Sequence, residues 1–231
     1  MKPINLESIF NFLKELKQNN NREWMQEHRK EYMANEESLK KFYSEIEKGL
    51  NETDEIVKVK IFRINRDLRF SADKTPYNVH RSVGFGRAGL QRHGGYYLRL
   101  EPGNSYIGGG FFDPSTADLL RIRKEFEIDS SEIREILNIP SFKKSFGEFE
   151  DEDALKTAPR GFDKNHENID LIRLKKYVVT HSFTDAEVFS PDFKESVLHT
   201  FRQLRPFFDY MSSVLTTDLN GVSLLEDNPD D

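Results

Sequence analysis

Residues 96–112 read YYLRLEPGNSYIGGGFF. Tyr96, Leu98 and Leu100 alternate with Tyr97 and Arg99, which is the two-residue period of a strand. Ser105–Phe112 is a second apolar run, and the Pro-Gly-Asn between them is turn chemistry. The stretch therefore predicts an antiparallel hairpin. Gly108, Gly109 and Gly110 weaken its second strand, a cost that makes sense where something approaches the backbone closely. A side-chain ring from a covering helix would do so, and so would a ligand.

On either side of this hairpin, Val57–Phe62, Ser82–Phe85 and Tyr177–Phe183 read as further strands, the last rich in β-branched residues. Helical patterns lie on both sides of this block. Leu6, Ile9, Phe10, Leu13 and Leu16 form one stripe. After Asn19–Asn21, a helix capped by Asn21 carries Trp24, His28 and Tyr32, then Leu39, Phe42, Tyr43 and Ile46. Thr116–Phe126 and Ser130–Leu137 follow the strands. A last helix runs from Ser190-Pro191 through Phe193, Phe201 and Met211, with a kink expected at Pro206. Helices bracketing a run of strands predict an α+β fold, with a central antiparallel or mixed sheet wrapped by N-terminal and C-terminal helices. We read residues 1–216 as a single domain and residues 217–231 as an acidic, flexible tail.

Composition narrows the function classes. The 231 residues carry a net charge of −6, which weighs against a nucleic-acid coat protein but leaves room for a local basic site. There is no cysteine, so disulfides, thiol nucleophiles and thiolate metal sites are excluded. No apolar run reaches the ~20 residues that span a bilayer, and the N-terminus lacks the features of a signal peptide. A soluble cytoplasmic protein without a membrane partner is the expectation.

The richest polar segment is Ile61–Tyr77, IFRINRDLRFSADKTPY, where Arg63, Arg66, Arg69 and Lys74 surround Asp67 and Asp73. Continued as a strand, it puts Phe62, Ile64, Arg66, Leu68 and Phe70 on one face and Arg63, Asn65, Asp67 and Arg69 on the other. That phase predicts burial of Phe62, Leu68 and Phe70, as the helical phases do for Trp24 and Phe42. Two readings of the charges stand side by side. In one, the cations capture a phosphate or carboxylate, and Asp67 or Asp73 orients them or acts as the acid/base group. In the other, the carboxylates neutralise two cations within an internal network, and Glu101 or Asp113 matches the rest.

Other motifs are weaker. Gly84-Phe85-Gly86-Arg87-Ala88-Gly89 matches Gly-x-Gly-x-x-Gly but leads towards a strand rather than a helix. Its Arg87, with Arg92 and His93, is expected to meet the Arg-rich run at one concave, positive site. Ser71-Ala72-Asp73-Lys74 matches Ser-x-x-Lys without the companion motifs of acylating serine enzymes. None of the six histidines has metal-ligand spacing, so no metal is expected. Arg160, in the Pro159-Arg160-Gly161 loop, is a candidate cation for the rim.

The pattern Arg63-x-x-Arg66-Asp67-x-Arg69-Phe70-x-x-Asp73-Lys74-x-x-Tyr77 resembles the signature of the domain of unknown function 2461 family, which is widely distributed in bacteria. Asn20-Asn21-Arg22-Glu23-Trp24 with His28-Arg29 and Tyr32, Gly94-Gly95-Tyr96-Tyr97, Gly108-Gly109-Gly110 and Pro159-Arg160-Gly161 carry the resemblance over roughly Leu6 to Tyr210. Phe112 stands where the family pattern implies Trp. The resemblance carries over no activity, and it leaves the reaction and any cofactor open. The residues point to an anion-binding pocket formed by Arg63, Arg66, Arg69, Lys74, Tyr77 and Arg160, for an anionic small molecule and with an enzyme as one form of it. The alternative is a non-enzymatic interaction module for a protein or RNA partner.

Overall fold

A computed structural model describes residues 5–88 and 94–225. In chain order its elements are α1 (Leu6–Gln18), α2 (Arg22–Glu27), α3 (Arg29–Leu50), β1 (Ile56–Ile61), β2 (Arg81–Arg87), β3 (Gly95–Leu100), β4 (Ser105–Phe111), α4 (Thr116–Ile128), α5 (Ser131–Asn138), α6 (Pro140–Phe146), α7 (Ile169–Ile172), β5 (Tyr177–Phe183), α8 (Asp185–Val188), α9 (Phe193–Arg202) and α10 (Arg205–Thr216). The strands form one open antiparallel sheet in the order β1-β2-β3-β4-β5, so the fold is α+β as expected. Each strand pairs with its neighbours in the order of the strands along the chain. No described helix is long and apolar enough to cross a membrane.

By contacts between Cα atoms the chain divides into two compact units, whose boundaries fall inside β2, β3, β4, β5 and α9. The first contains α1 to α3, β1, the segment up to Phe85, residues 97–107 and residues 182–199. Asn5 caps α1 by accepting from the Ser8 N–H at 3.1 Å, and the expected stripe of Leu6, Ile9, Phe10, Leu13 and Leu16 is buried. Phe10 meets Phe189 edge-on at 5.0 Å, and Phe42 stacks on Phe193 at 5.8 Å. Burying such a ring is worth about 1.5–3 kcal/mol. The helix expected after Asn21 is two helices. Asn21 caps the first, accepting from the Trp24 N–H at 2.8 Å, and the chain bends at His28, where ψ is 13°.

The second unit contains residues 86–96, 108–181 and 200–231. Its core is aromatic: Phe111 meets Phe207 at 5.7 Å, Phe149 meets Tyr177 at 5.6 Å, and Phe126 meets Tyr177 at 5.5 Å. Ser115 and Asp118 close a reciprocal capping box on α4. Pro206 sits in the first turn of α10, so the expected kink is a break between two helices, where proline is tolerated. A Cβ on Gly109 would collide with the Leu204 side chain, so that glycine admits a covering residue, an aliphatic one rather than a ring. Arg121 holds the carbonyls of Thr217 and Asp218 at 2.9 and 3.0 Å, and Thr217 bridges to Ser223.

Candidate functional site

In the first unit the chain leaves the sheet at Ile61 and re-enters it at Arg81. The expected continuation of the strand to Phe70 does not occur; residues 62–80 form a tied loop instead. Phe62 donates its N–H to the Ser82 carbonyl at 3.0 Å, and Arg81 reaches back to the Phe62 carbonyl at 2.8 Å. Farther out, Asn65 and Tyr77 pair in an isolated antiparallel bridge. Asn20 accepts from the Tyr77 N–H at 3.1 Å and donates to the Tyr77 carbonyl at 2.9 Å. One side chain thus satisfies both peptide groups of Tyr77, as a neighbouring strand would.

Arg66 is the hub of the loop. Its Nη1 donates to Asp73 at 2.5 Å, to the Thr75 carbonyl at 3.1 Å and to the Thr75 hydroxyl, and its Nη2 to the Ser71 hydroxyl at 3.2 Å. Asp73 accepts the Thr75 N–H at 2.9 Å, and Asp67 accepts the Arg69 N–H at 3.1 Å, two turns that side-chain carboxylates stabilise in competition with a ladder. Asp67 also receives the Arg69 guanidinium at 2.6 Å. Lys74 donates to the Leu68 carbonyl at 3.0 Å. These bonds override the apolar alternation. Of the five side chains expected to be buried, Phe42 is buried, Trp24, Phe62 and Leu68 are half-buried, and Phe70 is 96% exposed.

Both candidate acid/base groups are engaged in these turns. The Arg69 guanidinium beside Asp67 holds its carboxyl below the usual range, and the Thr75 N–H and Arg66 do the same for Asp73. Both are ionised at neutral pH and poor proton donors there. The Ser71 hydroxyl, contacted by Arg66, donates to the Asp73 carbonyl at 2.8 Å, so it too belongs to the scaffold. Arg63, Arg69 and Lys74 are exposed, and Tyr77 is half-buried. Arg160 is exposed in the second unit. Arg92 and His93 lie outside the described residues. Arg87, expected at an open cationic site, is buried in the second unit, 3.5 Å from Asp209 and with its guanidinium 4.8 Å from the centre of the Phe208 ring. A cation on a packed face keeps its charge only by such pairing.

A second polar group in the first unit lies beside the loop's ends. Arg81 is only 3% exposed and grips Glu36 of α3 bidentately, at 2.6 and 2.7 Å. Tyr32, on the same helix, has its hydroxyl pKa raised by burial and by the adjacent Glu36. Arg99 pairs with Glu101 at 2.8 Å, so Glu101 matches a strand cation and not the loop's. Phe62, Tyr97 and Tyr106 form a row of rings at 5.9 and 5.8 Å. A cation opening a strand whose alternate residues, Val83 and Phe85, are apolar was the signal for a buried ion pair at Arg81; nothing local identified Glu36 as its partner.

His80 follows from the same packing. Burial, aided by the Arg99 charge, pushes its pKa down from 6.5 to about 4. Between those values the unfolded chain binds a proton that the folded chain does not. The contribution is therefore complete above pH 6.5 and lost as pH falls towards 4. The His80→Gln variant is expected to lose less stability than the parent between pH 7 and 4.5 in urea unfolding. Parallel curves would remove His80 from this account.

A cleft of about 340 Å³ in the first unit is lined by Lys14, Lys17, Val79, Glu101, Gly103 and Asp185, among others. Its charges are mixed, and none of the loop's cations lines it. The family model described as conserved hypothetical protein (DUF2461) matches residues 8–210, so the chain belongs to that family. No curated protein and no solved structure matches.

Proposed function

We propose that this member of the DUF2461 family is a cytoplasmic binding module that captures an anionic group of a partner on the open side of loop 62–80. The observation that carries the reading is Phe70, 96% exposed on a loop whose turns are tied by Arg66, Asp67 and Asp73. An aromatic ring held out in water by a tied scaffold is a ready anchor, because little entropy remains to be lost when it docks. Arg63, Arg69 and Lys74 are exposed on the same loop. Its four cations and two carboxylates leave a local charge of +2 on a chain of −6. Such a patch steers an anion towards itself and keeps most other acidic surfaces away from the body. Catalysis by Asp67 or Asp73 has less support, since both are ionised, exposed and committed to turns. The acidic body weighs against a nucleic-acid partner.

The test is fluorescence anisotropy with labelled oligoglutamate and, in parallel, labelled oligothymidylate. Oligoglutamate is expected to bind saturably and more weakly as salt rises. The Arg63→Glu/Lys74→Glu double variant is expected to weaken binding at least tenfold, with only a small fall in melting temperature from the lost Lys74 bond to the Leu68 carbonyl. Wild-type affinity in that variant, or no binding by the parent, removes the proposal. Tighter binding of the oligonucleotide makes the partner a nucleic acid.

A further inference from the structure

Strand β1 is the outermost strand on its side of the sheet. Its register follows from Phe62, whose N–H donates to the Ser82 carbonyl. Antiparallel pairing repeats every two residues, so the peptide groups of Lys60 and Lys58 also face β2, and those of Val57, Val59 and Ile61 face outward. No hydrogen bond outside the sheet ladder engages these three residues among the described residues. An edge of this kind is a template for another strand.

The side chains along the edge say which strand would fit. Lys58 and Lys60 are exposed and share the face of Phe62, over whose ring the Lys60 ammonium lies at 4.8 Å. Arg63 follows two residues after the strand ends and is exposed. Val57 and Val59 lie on the opposite face; Val57 is 65% exposed and Val59 half-buried. One face of the edge is thus cationic and the other an uncovered aliphatic margin. Lysines on an edge strand also discourage pairing with copies of the same chain, since two β1 strands would bring like charges together.

We propose that β1 receives an extended segment of a partner protein in which acidic and apolar residues alternate, the acids facing Lys58 and Lys60 and the apolar side chains covering Val57 and Val59. This deepens the reading of the loop and rests on it, because an acid beyond the paired stretch would be received by Arg63. Main-chain bonds to Val57, Val59 and Ile61 would supply the pairing, and alternate side chains the selectivity.

The experiment uses the intact chain and a labelled peptide of sequence DVEVEVD. Two further peptides carry N-methyl groups on alternate residues, in opposite phase. Strand addition needs the N–H groups of one phase only. One methylated peptide is therefore expected to bind like the parent, and the other at least tenfold more weakly. Hydrogen exchange should slow at the amides of Val57, Val59 and Ile61 when the parent peptide is added. Lys58→Glu with Lys60→Glu should weaken the peptide at least tenfold. Equal binding of both methylated peptides, or no change in exchange at those amides, overturns strand addition. Oligoglutamate capture that still depends on Arg63 and Lys74 would then leave the loop reading standing; loss of both responses removes both. Self-association that slows exchange at the same amides without peptide makes the occupant a second copy of this chain and overturns the acidic segment.

Discussion

Replacing Arg81 by methionine is expected to destabilise the protein by about 3–5 kcal/mol, the range for removing one partner of a buried ion pair. The guanidinium is almost fully buried and the Glu36 carboxylate largely so, with side-chain exposures of 4% and 14%. With Arg81 gone, the largely buried Glu36 carboxylate is left without its partner, and the Phe62 carbonyl loses a donor at 2.8 Å. Glu36→Gln alone is expected to be costly as well, since it leaves the buried Arg81 guanidinium without a counter-charge and sets an amide NH2 against one of its two donors. The double variant Glu36→Gln/Arg81→Met should recover part of the loss, because no unpaired charge remains. Urea unfolding of the four proteins gives the coupling. Additive costs would mean that the two residues act independently, against the bidentate geometry.

That pair marks a limit of reading structure from sequence. The stripe of Leu6, Ile9, Phe10, Leu13 and Leu16 was legible because a helix repeats its face within a few residues. So were β3 and β4, since alternation and the Pro-Gly-Asn turn lie within one short stretch. Glu36 and Arg81 are 45 positions apart, and Asn20 and Tyr77 are 57 apart. Nothing in either local pattern specifies its partner. Loop 62–80 failed for another reason. Its alternation of Phe62, Ile64, Leu68 and Phe70 has the period of a strand, but Asp67 and Asp73 supply turns that compete with the ladder, and the Arg66 hub joins them. Charge identity was legible at this loop and charge partnership was not. The same residues that suggested an acid/base pair are the ones that tie its turns, which leaves Arg63, Lys74 and Phe70 as the outward groups.

The largest effect expected from a single methyl group is at Gly110. Its φ of 145° lies in a region that residues with a side chain rarely adopt, and a Cβ there would collide with the backbone carbonyl oxygen of Tyr177 on β5. Neither the strain nor the collision can be relieved by turning a side chain, because the atoms involved are backbone. Gly110→Ala is expected to cost about 2–6 kcal/mol, from backbone strain and from overpacking of the β4–β5 pair. Gly109→Ala provides the comparison. The atoms that its Cβ would strike belong to the end of the Leu204 side chain, which can move. Its cost should be smaller and partly relieved by Leu204→Val, whereas that second change should leave Gly110→Ala no more stable. Thermal unfolding of the two glycine variants, each with and without Leu204→Val, measures the difference. A Gly110→Ala protein as stable as Gly109→Ala would mean that β4 and β5 do not approach each other as closely as described. The triple glycine would then require another explanation, such as a ligand seated against the backbone.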